Sequence, residues 1–163
     1  MGTRRKGRES ALQILYQLEV VAGSRQEKDE STPKMTELMM GLSPAHVSQV
    51  VETFFKNFEA SPAIFDYASS LVRGTLLNLN RIDGFVARHS VKWRIERMAI
   101  VDRNVLRLAT YELLFSFDLP PNVVIDEAIE VAKRFGSEKS AAFVNGVLDS
   151  IATDIRKPTS SGK

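Results

Sequence analysis

Apolar residues recur at intervals of three and four along most of this chain, the spacing that places them on one face of an α-helix. The residues from 24 to 34 include no apolar side chain. Because such a segment has little to bury, we expect a mobile loop over 24–42. The first predicted helix ends at Gly23 and Ser24. Further helices are predicted at 43–58, 61–89, 100–117 and 126–135, and a last one begins after Ser137 and extends to Ile155. A turn or short helix is predicted at 93–98.

Serine followed by proline marks two of the predicted helix starts, at Ser43 and Ser61. A serine hydroxyl caps free backbone N–H groups, and proline suits the first turn. From Ser61 the helical spacing continues to about His89, which predicts one helix about 40 Å long. Two prolines within 118–122 predict a break, and the next helix, 126–135, then carries acidic residues in its first turn, where the helix dipole favours them. The pattern as a whole predicts an all-α protein of six or seven helices without a sheet.

Composition excludes several classes of protein. The 163 residues include no cysteine and two histidines, which excludes disulfides, thiolate metal sites and cysteine nucleophiles. No apolar run reaches the roughly 18 residues of a membrane span. We therefore expect a soluble, cytoplasmic, single-domain protein that needs no metal or cofactor and has no contact with a membrane.

Positive charge is concentrated at the N-terminus. The net charge is only +2, but Arg4, Arg5, Lys6 and Arg8 fall at the start of a predicted helix. The free N–H groups there already favour anions, so cations are mildly unfavourable and indicate an anionic partner such as a nucleic-acid backbone. A solvated N-terminus is the alternative. A second segment, 88–107, has six cations and two acids, and a solvated helix face is the ordinary explanation for it.

Catalytic patterns are weak in this sequence. The histidines occur in no metal-ligand or serine-nucleophile motif, and the residues 136–140 (GSEKS) lack the order of a phosphate-binding loop. The segment that contains Phe143, Asn145 and Gly146 is more informative, because asparagine and glycine inside a helix lower the helix propensity of the segment. Either close helix packing or an exposed recognition surface explains that segment.

Four segments resemble the NusB family of bacterial transcription antitermination factors. They are 8–16 (RESALQILY), 101–114 (VDRNVLRLATYELL), 124–136 (VIDEAIEVAKRFG) and 143–149 (FVNGVLD). The resemblance covers most of the chain, apart from 24–42. It implies a non-catalytic protein of two packed three-helix subdomains, which we place at 1–90 and 91–157, with a polar tail at 158–163.

The resemblance also implies partners and site residues. NusB-like proteins bind boxA-type RNA together with NusE, a ribosomal small-subunit protein, and help RNA polymerase to pass terminators. By analogy the RNA-binding residues are Arg4, Arg5, Lys6, Arg8, Lys139 and Phe143. By the same analogy Glu96, Asp102 and Arg103 face NusE. Lys139 stands where some members of the family carry an acid, which is expected to change the affinity for RNA.

Two other functions are compatible with a NusB-like helical module. One is the RNA-guiding part of an RNA methyltransferase. The length of 163 residues and the absence of a glycine-rich sequence for binding a methyl donor argue against it. The other is a helical dimerisation module whose basic segments are only solvated. The sequence leaves a homodimer open.

Overall fold

The structure is a computed structural model that describes residues 2–24, 39, 41–57 and 60–156. These residues form seven α-helices and one 3₁₀ turn, and none of them forms a β-strand. The elements are α1 (Thr3–Ser24), α2 (Pro44–Lys56), α3 (Pro62–Leu77), α4 (Leu79–His89), the 3₁₀ turn Ile95–Arg97, α5 (Ile100–Phe115), α6 (Pro121–Phe135) and α7 (Ser140–Arg156). The prediction of an all-α fold is confirmed. Most of the predicted loop at 24–42 and the tail at 158–163 lie outside the described residues.

Both serine–proline pairs begin helices as predicted. The hydroxyl of Ser43 accepts a hydrogen bond from the N–H of His46 at 3.1 Å, and that of Ser61 accepts one from Ile64 at 3.4 Å. Each cap satisfies a backbone donor that the helix itself leaves free. Local sequence therefore determines the starts of α2 and α3.

Two predicted boundaries are wrong. The long helix from Ser61 to His89 is divided at Asn78, whose side-chain amide donates to the carbonyl of Gly74 at 2.8 Å and ends α3. Helix α6 begins at Pro121, five positions before the predicted start at Asp126. Proline is accepted at the first helical position because its missing N–H has no partner there. The acids of α6 consequently lie beyond its first turn, and the dipole does not explain them.

Helix α5 is the centre of the packing, as its apolar sequence predicts. It contacts α1, α3, α4, α6 and α7, and α1 lies against α2, α3, α5 and α6. The core is formed by apolar side chains from every helix, including Leu15, Val51, Val72, Val86, Leu106, Val131 and Leu148. No described helix is both long enough and apolar enough to cross a membrane.

A charged network is buried beside this core. The carboxylate of Glu19 on α1 accepts hydrogen bonds from Arg103 at 2.6 Å, from Arg107 at 3.1 Å and from Asn104 at 3.2 Å. Arg107 also donates twice to Asp83 on α4. Charges withdrawn from water must be paired to be tolerated. The network therefore fixes the mutual positions of α1, α4 and α5.

Candidate nucleic-acid interface

The N-terminal cluster (Arg4, Arg5, Lys6 and Arg8) lies on the first two turns of α1, and the first turn contains no acid. Arg4 is half exposed and forms an ion pair of 3.2 Å with the exposed Asp118 in the α5–α6 connection. Arg5 donates two hydrogen bonds, of 2.8 and 2.9 Å, to Glu127 of α6. These hydrogen bonds and the positive charge hold the pKa of Glu127 below its usual value.

Arg8 differs from the rest of the cluster because it is buried. Its guanidinium donates to both oxygens of Glu112 on α5, at 2.7 and 2.8 Å, and both residues are almost inaccessible to solvent. The hydroxyl of Tyr67 on α3 donates to the same carboxylate at 2.8 Å. Arg8 thus joins α1 to α5 and shares Glu112 with α3. Its contact with RNA stays a prediction.

Lys6 and Arg134 extend the cationic face from α1 to the end of α6. Both side chains are exposed and line one surface groove, where Arg134 also pairs with Glu9 at 2.6 Å. After α6 the chain turns at Gly136, where an added Cβ would approach the carbonyl of Ala132 to 2.8 Å. This tight turn leads directly to the exposed Lys139 and to α7.

Phe143 is half buried in the first turn of α7, and its ring meets that of Trp93 edge to face, with centroids 6.4 Å apart. Asn145 and Gly146 are exposed, and a Cβ built at Gly146 has no neighbour within 4 Å. Close packing therefore does not explain the glycine of this segment. The glycine lies on an open surface beside an aromatic ring, and the binding of RNA by this surface stays a prediction.

The three residues predicted to face NusE differ in depth. Glu96 is exposed in the 3₁₀ turn, and Asp102 is half buried in the first turn of α5. One oxygen of Asp102 is buried and accepts no hydrogen bond from the described residues. Arg103 is buried, bonded to Glu19, and donates to the carbonyls of Ile95, Glu96 and Met98. Its guanidinium therefore holds the turn that carries Glu96.

One constellation contains the residue types of a hydrolase triad. His89 Nδ1 lies 2.7 Å from Ser150 Oγ, and Nε2 lies 2.9 Å from Asp154 Oδ2. Ser150 is inside α7, where backbone N–H groups bond within the helix and offer no oxyanion site. The three side chains tie α4 to α7. No group of three or more His, Asp or Glu residues within the described ranges is arranged to hold a metal ion.

The fold and these contacts define an all-helical protein with a cationic N-terminal face. This chain belongs to the NusB family, whose sequence profile matches residues 5–153. A transcription antitermination protein NusB of Myxococcus xanthus is 40% identical over 158 residues, which cover 97% of this chain and 100% of the relative. Its name describes antitermination and not catalysis, which agrees with the prediction that the chain is not an enzyme.

Solved structures of the family have the same fold. T. maritima NusB matches with a TM-score of 0.71 and 38% identity, over 93% of this chain and 91% of that one. A structure of the antitermination factors NusB and NusE in complex with dsRNA matches with a TM-score of 0.67 and 30% identity, over 94% and 98% of the two chains. The division into subdomains at residue 90 stays a prediction.

Sequence reasoning missed the acidic partners of the cluster and the exposed Trp93. Asp118 and Glu127 are more than a hundred residues from Arg4 and Arg5 in sequence, and no local pattern connects them. For Trp93 a signal was present. A lone tryptophan between Lys92 and Arg94 in a segment without helical periodicity is an aromatic residue among cations, a combination that is typical of nucleic-acid surfaces.

Proposed function

We propose that this chain binds single-stranded boxA-type RNA together with NusE, as a non-catalytic factor of the RNA polymerase antitermination complex in the cytoplasm. Family membership and the similarity to a NusB that was solved with NusE and dsRNA support the class of function. The observation within this chain that carries it is the first turn of α1, which presents Arg4, Arg5 and Lys6 and contains no acid.

The first turn of a helix is an unfavourable place for three cations. Each one is mildly unfavourable because it faces the positive end of the helix dipole. Asp118 and Glu127 offset this for Arg4 and Arg5, while the side chain of Lys6 has no hydrogen bond or ion pair with the described residues. Phosphate oxygens would provide what the helix start lacks, because they accept hydrogen bonds from guanidinium and ammonium groups and from free backbone N–H groups.

The cationic residues of α1, of the end of α6 and of the turn after it define the proposed path of an RNA strand. It begins at Arg4, Arg5 and Lys6, passes Arg134 in the groove that Lys6 also lines, and reaches Lys139 and the half-buried ring of Phe143. Cations along a strand bind phosphates, and aromatic rings stack on unpaired bases. The presence of an accessible ring at the end of the path favours a single strand over a duplex.

The buried arginines have a different role in this proposal. Arg8 positions α1 by its two bonds to Glu112, so that the three outer cations are held on a fixed helix. Arg103 likewise positions the turn of Glu96 through three backbone carbonyls. Glu96 and Asp102 are left to contact NusE, because their carboxylates can accept charged hydrogen bonds from a basic group of that partner.

The salt dependence of RNA affinity tests the cationic path. Replacing Arg4, Arg5 and Lys6 together with alanine should weaken binding of boxA RNA and reduce the slope of log K against log salt by about 2, since each phosphate contact on a single strand contributes about 0.7. The control variant replaces three exposed arginines elsewhere, Arg73, Arg81 and Arg156, with the same loss of charge. If the salt slope of the α1 variant equals that of the control variant and of the unmodified chain, the start of α1 is excluded from the RNA site.

The NusE surface is tested with the Asp102→Asn variant, which keeps the shape of the side chain and removes its charge. We expect weaker binding of NusE and nearly unchanged binding of RNA alone. Measured NusE affinity equal to that of the unmodified chain would leave Asp102 as a first-turn acid that only stabilises α5, by about 0.3–1 kcal/mol.

A further inference from the structure

We propose that Trp93 and Phe143, the aromatic pair, form a stacking surface for an unpaired RNA base, and that Lys92, Arg94 and Arg97 bind the phosphates beside that base. The inference rests on the proposed RNA-binding function and extends it. It adds the connection between α4 and α5 to the RNA site.

The geometry of the pair leaves the indole open. Trp93 lies in the connection after α4 and is 62% exposed, although a large aromatic side chain normally buries most of its surface. The edge-to-face contact with Phe143, at an interplanar angle of 84°, fixes the ring while the rest of it faces solvent. Stacking on a ring that is already held in place costs little conformational entropy.

Charge around the indole favours a phosphate-bearing ligand. The side chains of Lys92, Arg94 and Arg97 are exposed, and none of them forms a hydrogen bond or ion pair with the described residues. Trp93, Arg94 and Arg97 line a groove of about 510 Å³, in which Glu96 is the one acid among the lining residues. Free cations beside an exposed aromatic ring are the combination that holds single-stranded nucleic acid.

The groove is also preorganised. Arg103 donates to the carbonyls of Ile95, Glu96 and Met98, which follow Trp93 closely in the chain. The backbone below the groove is therefore held by a buried guanidinium that is itself bound to Glu19. A neighbouring open surface at Asn145 and Gly146 gives a strand room to reach the pair from the α7 side.

The test uses the fact that Trp93 is the only tryptophan of the chain. Indole fluorescence of the unmodified protein is recorded while single-stranded boxA RNA is added, and the same titration is followed by the anisotropy of labelled RNA. We expect quenching that saturates together with the anisotropy. Trp93→Ala should weaken RNA binding about 5- to 150-fold, the range measured for loss of one base–aromatic stack, whereas Trp93→Phe should retain most of the affinity.

Controls separate stacking from other effects. Leu77→Ala removes another exposed apolar side chain, 83% exposed at the α3–α4 junction, and should bind RNA normally. Alanine at both Lys92 and Arg94 leaves the rings in place and should reduce the salt slope by about 1.4. Thermal unfolding of each variant shows whether it is folded, and the fluorescence titration needs no variant at all.

Three outcomes would overturn the inference. RNA binding without a change in indole emission, together with normal affinity of Trp93→Ala, would exclude the aromatic pair and leave the proposed function intact. Loss of NusE binding in Trp93→Ala, with RNA binding unchanged, would assign the groove to the protein partner. Absence of RNA binding by the unmodified chain, alone and with NusE, would refute the proposed function and this inference with it.

Discussion

Replacing Arg8 with methionine tests whether a basic residue of the N-terminal cluster holds the fold or binds RNA. Methionine has an apolar side chain of similar length but lacks the guanidinium that donates to Glu112 at 2.7 and 2.8 Å. Glu112 is 1% exposed, so its carboxylate cannot exchange these bonds for water. Tyr67 remains as a single donor.

The expected magnitude follows from this burial. Removing one partner of a buried ion pair usually costs about 3–5 kcal/mol, because the other charge is left without compensation. The remaining hydrogen bond from Tyr67 favours the lower part of that range. A loss of about 3 kcal/mol is a large part of the 5–15 kcal/mol by which a domain is ordinarily stable.

Urea unfolding of three variants measures the effect. Arg8→Met should be strongly destabilised, while Arg4→Met, which loses the exposed pair with Asp118, should change by no more than about 1 kcal/mol. The double variant Arg8→Met/Glu112→Met should recover much of the lost stability, since an apolar pair replaces an ionic one of similar volume. An Arg8→Met protein with normal stability and weakened RNA binding would refute this reasoning and make Arg8 an RNA ligand.

Two further predictions concern Tyr67 and the packing of α1 against α3. A Cβ at Gly7 would lie 2.6 Å from Cδ1 of Tyr67. Gly7→Ala should therefore lower stability by about 1–3 kcal/mol through overpacking, an effect reduced by about 1 kcal/mol because alanine has the higher helix propensity. Gly84→Ala, whose added Cβ has no neighbour within 4 Å, should be stabilising in the same urea assay. Burial and the charge of Glu112 raise the pKa of Tyr67. Above about pH 10 the unfolded chain therefore releases a proton that the folded chain retains, so the unfolding free energy should fall progressively as the pH rises from about 10, and less so in Tyr67→Phe.

The helices and their starts were largely readable from the sequence because both depend on neighbours in the chain. Apolar spacing predicted the helical segments, and the capping signals at Ser43 and Ser61 act over three residues. The break at Asn78 was missed because the apolar spacing continues through it, whereas the structure ends the helix there with a side-chain bond from Asn78 to Gly74 and a non-helical backbone at Asn78. The start of α6 was missed because two adjacent prolines indicate a helix break, although Pro121 is suited to a first turn.

The candidate site was readable only in part. Sequence located the cations of α1 and the FVNG phrase, because charge at a helix start and glycine inside a helix are locally unusual. It did not separate Arg8 from Arg4, Arg5 and Lys6. That separation depends on Glu112, 104 residues away in the chain, and on the packing that brings α5 beneath α1.

The helical repeat explains why one basic cluster has two roles. Arg4 and Arg8 are four positions apart and share one face, where both guanidinium groups lie within 6 Å of the ring of Tyr67. Arg4 remains at the open end of that face and Arg8 lies one turn further into the protein, beside α5. The deeper arginine is thus paired with a carboxylate that water cannot reach, and the outer one with the exposed Asp118, from which a phosphate can displace it. Arg8, which holds α1 in place, therefore lies one helical turn from Arg4, which can exchange its partner.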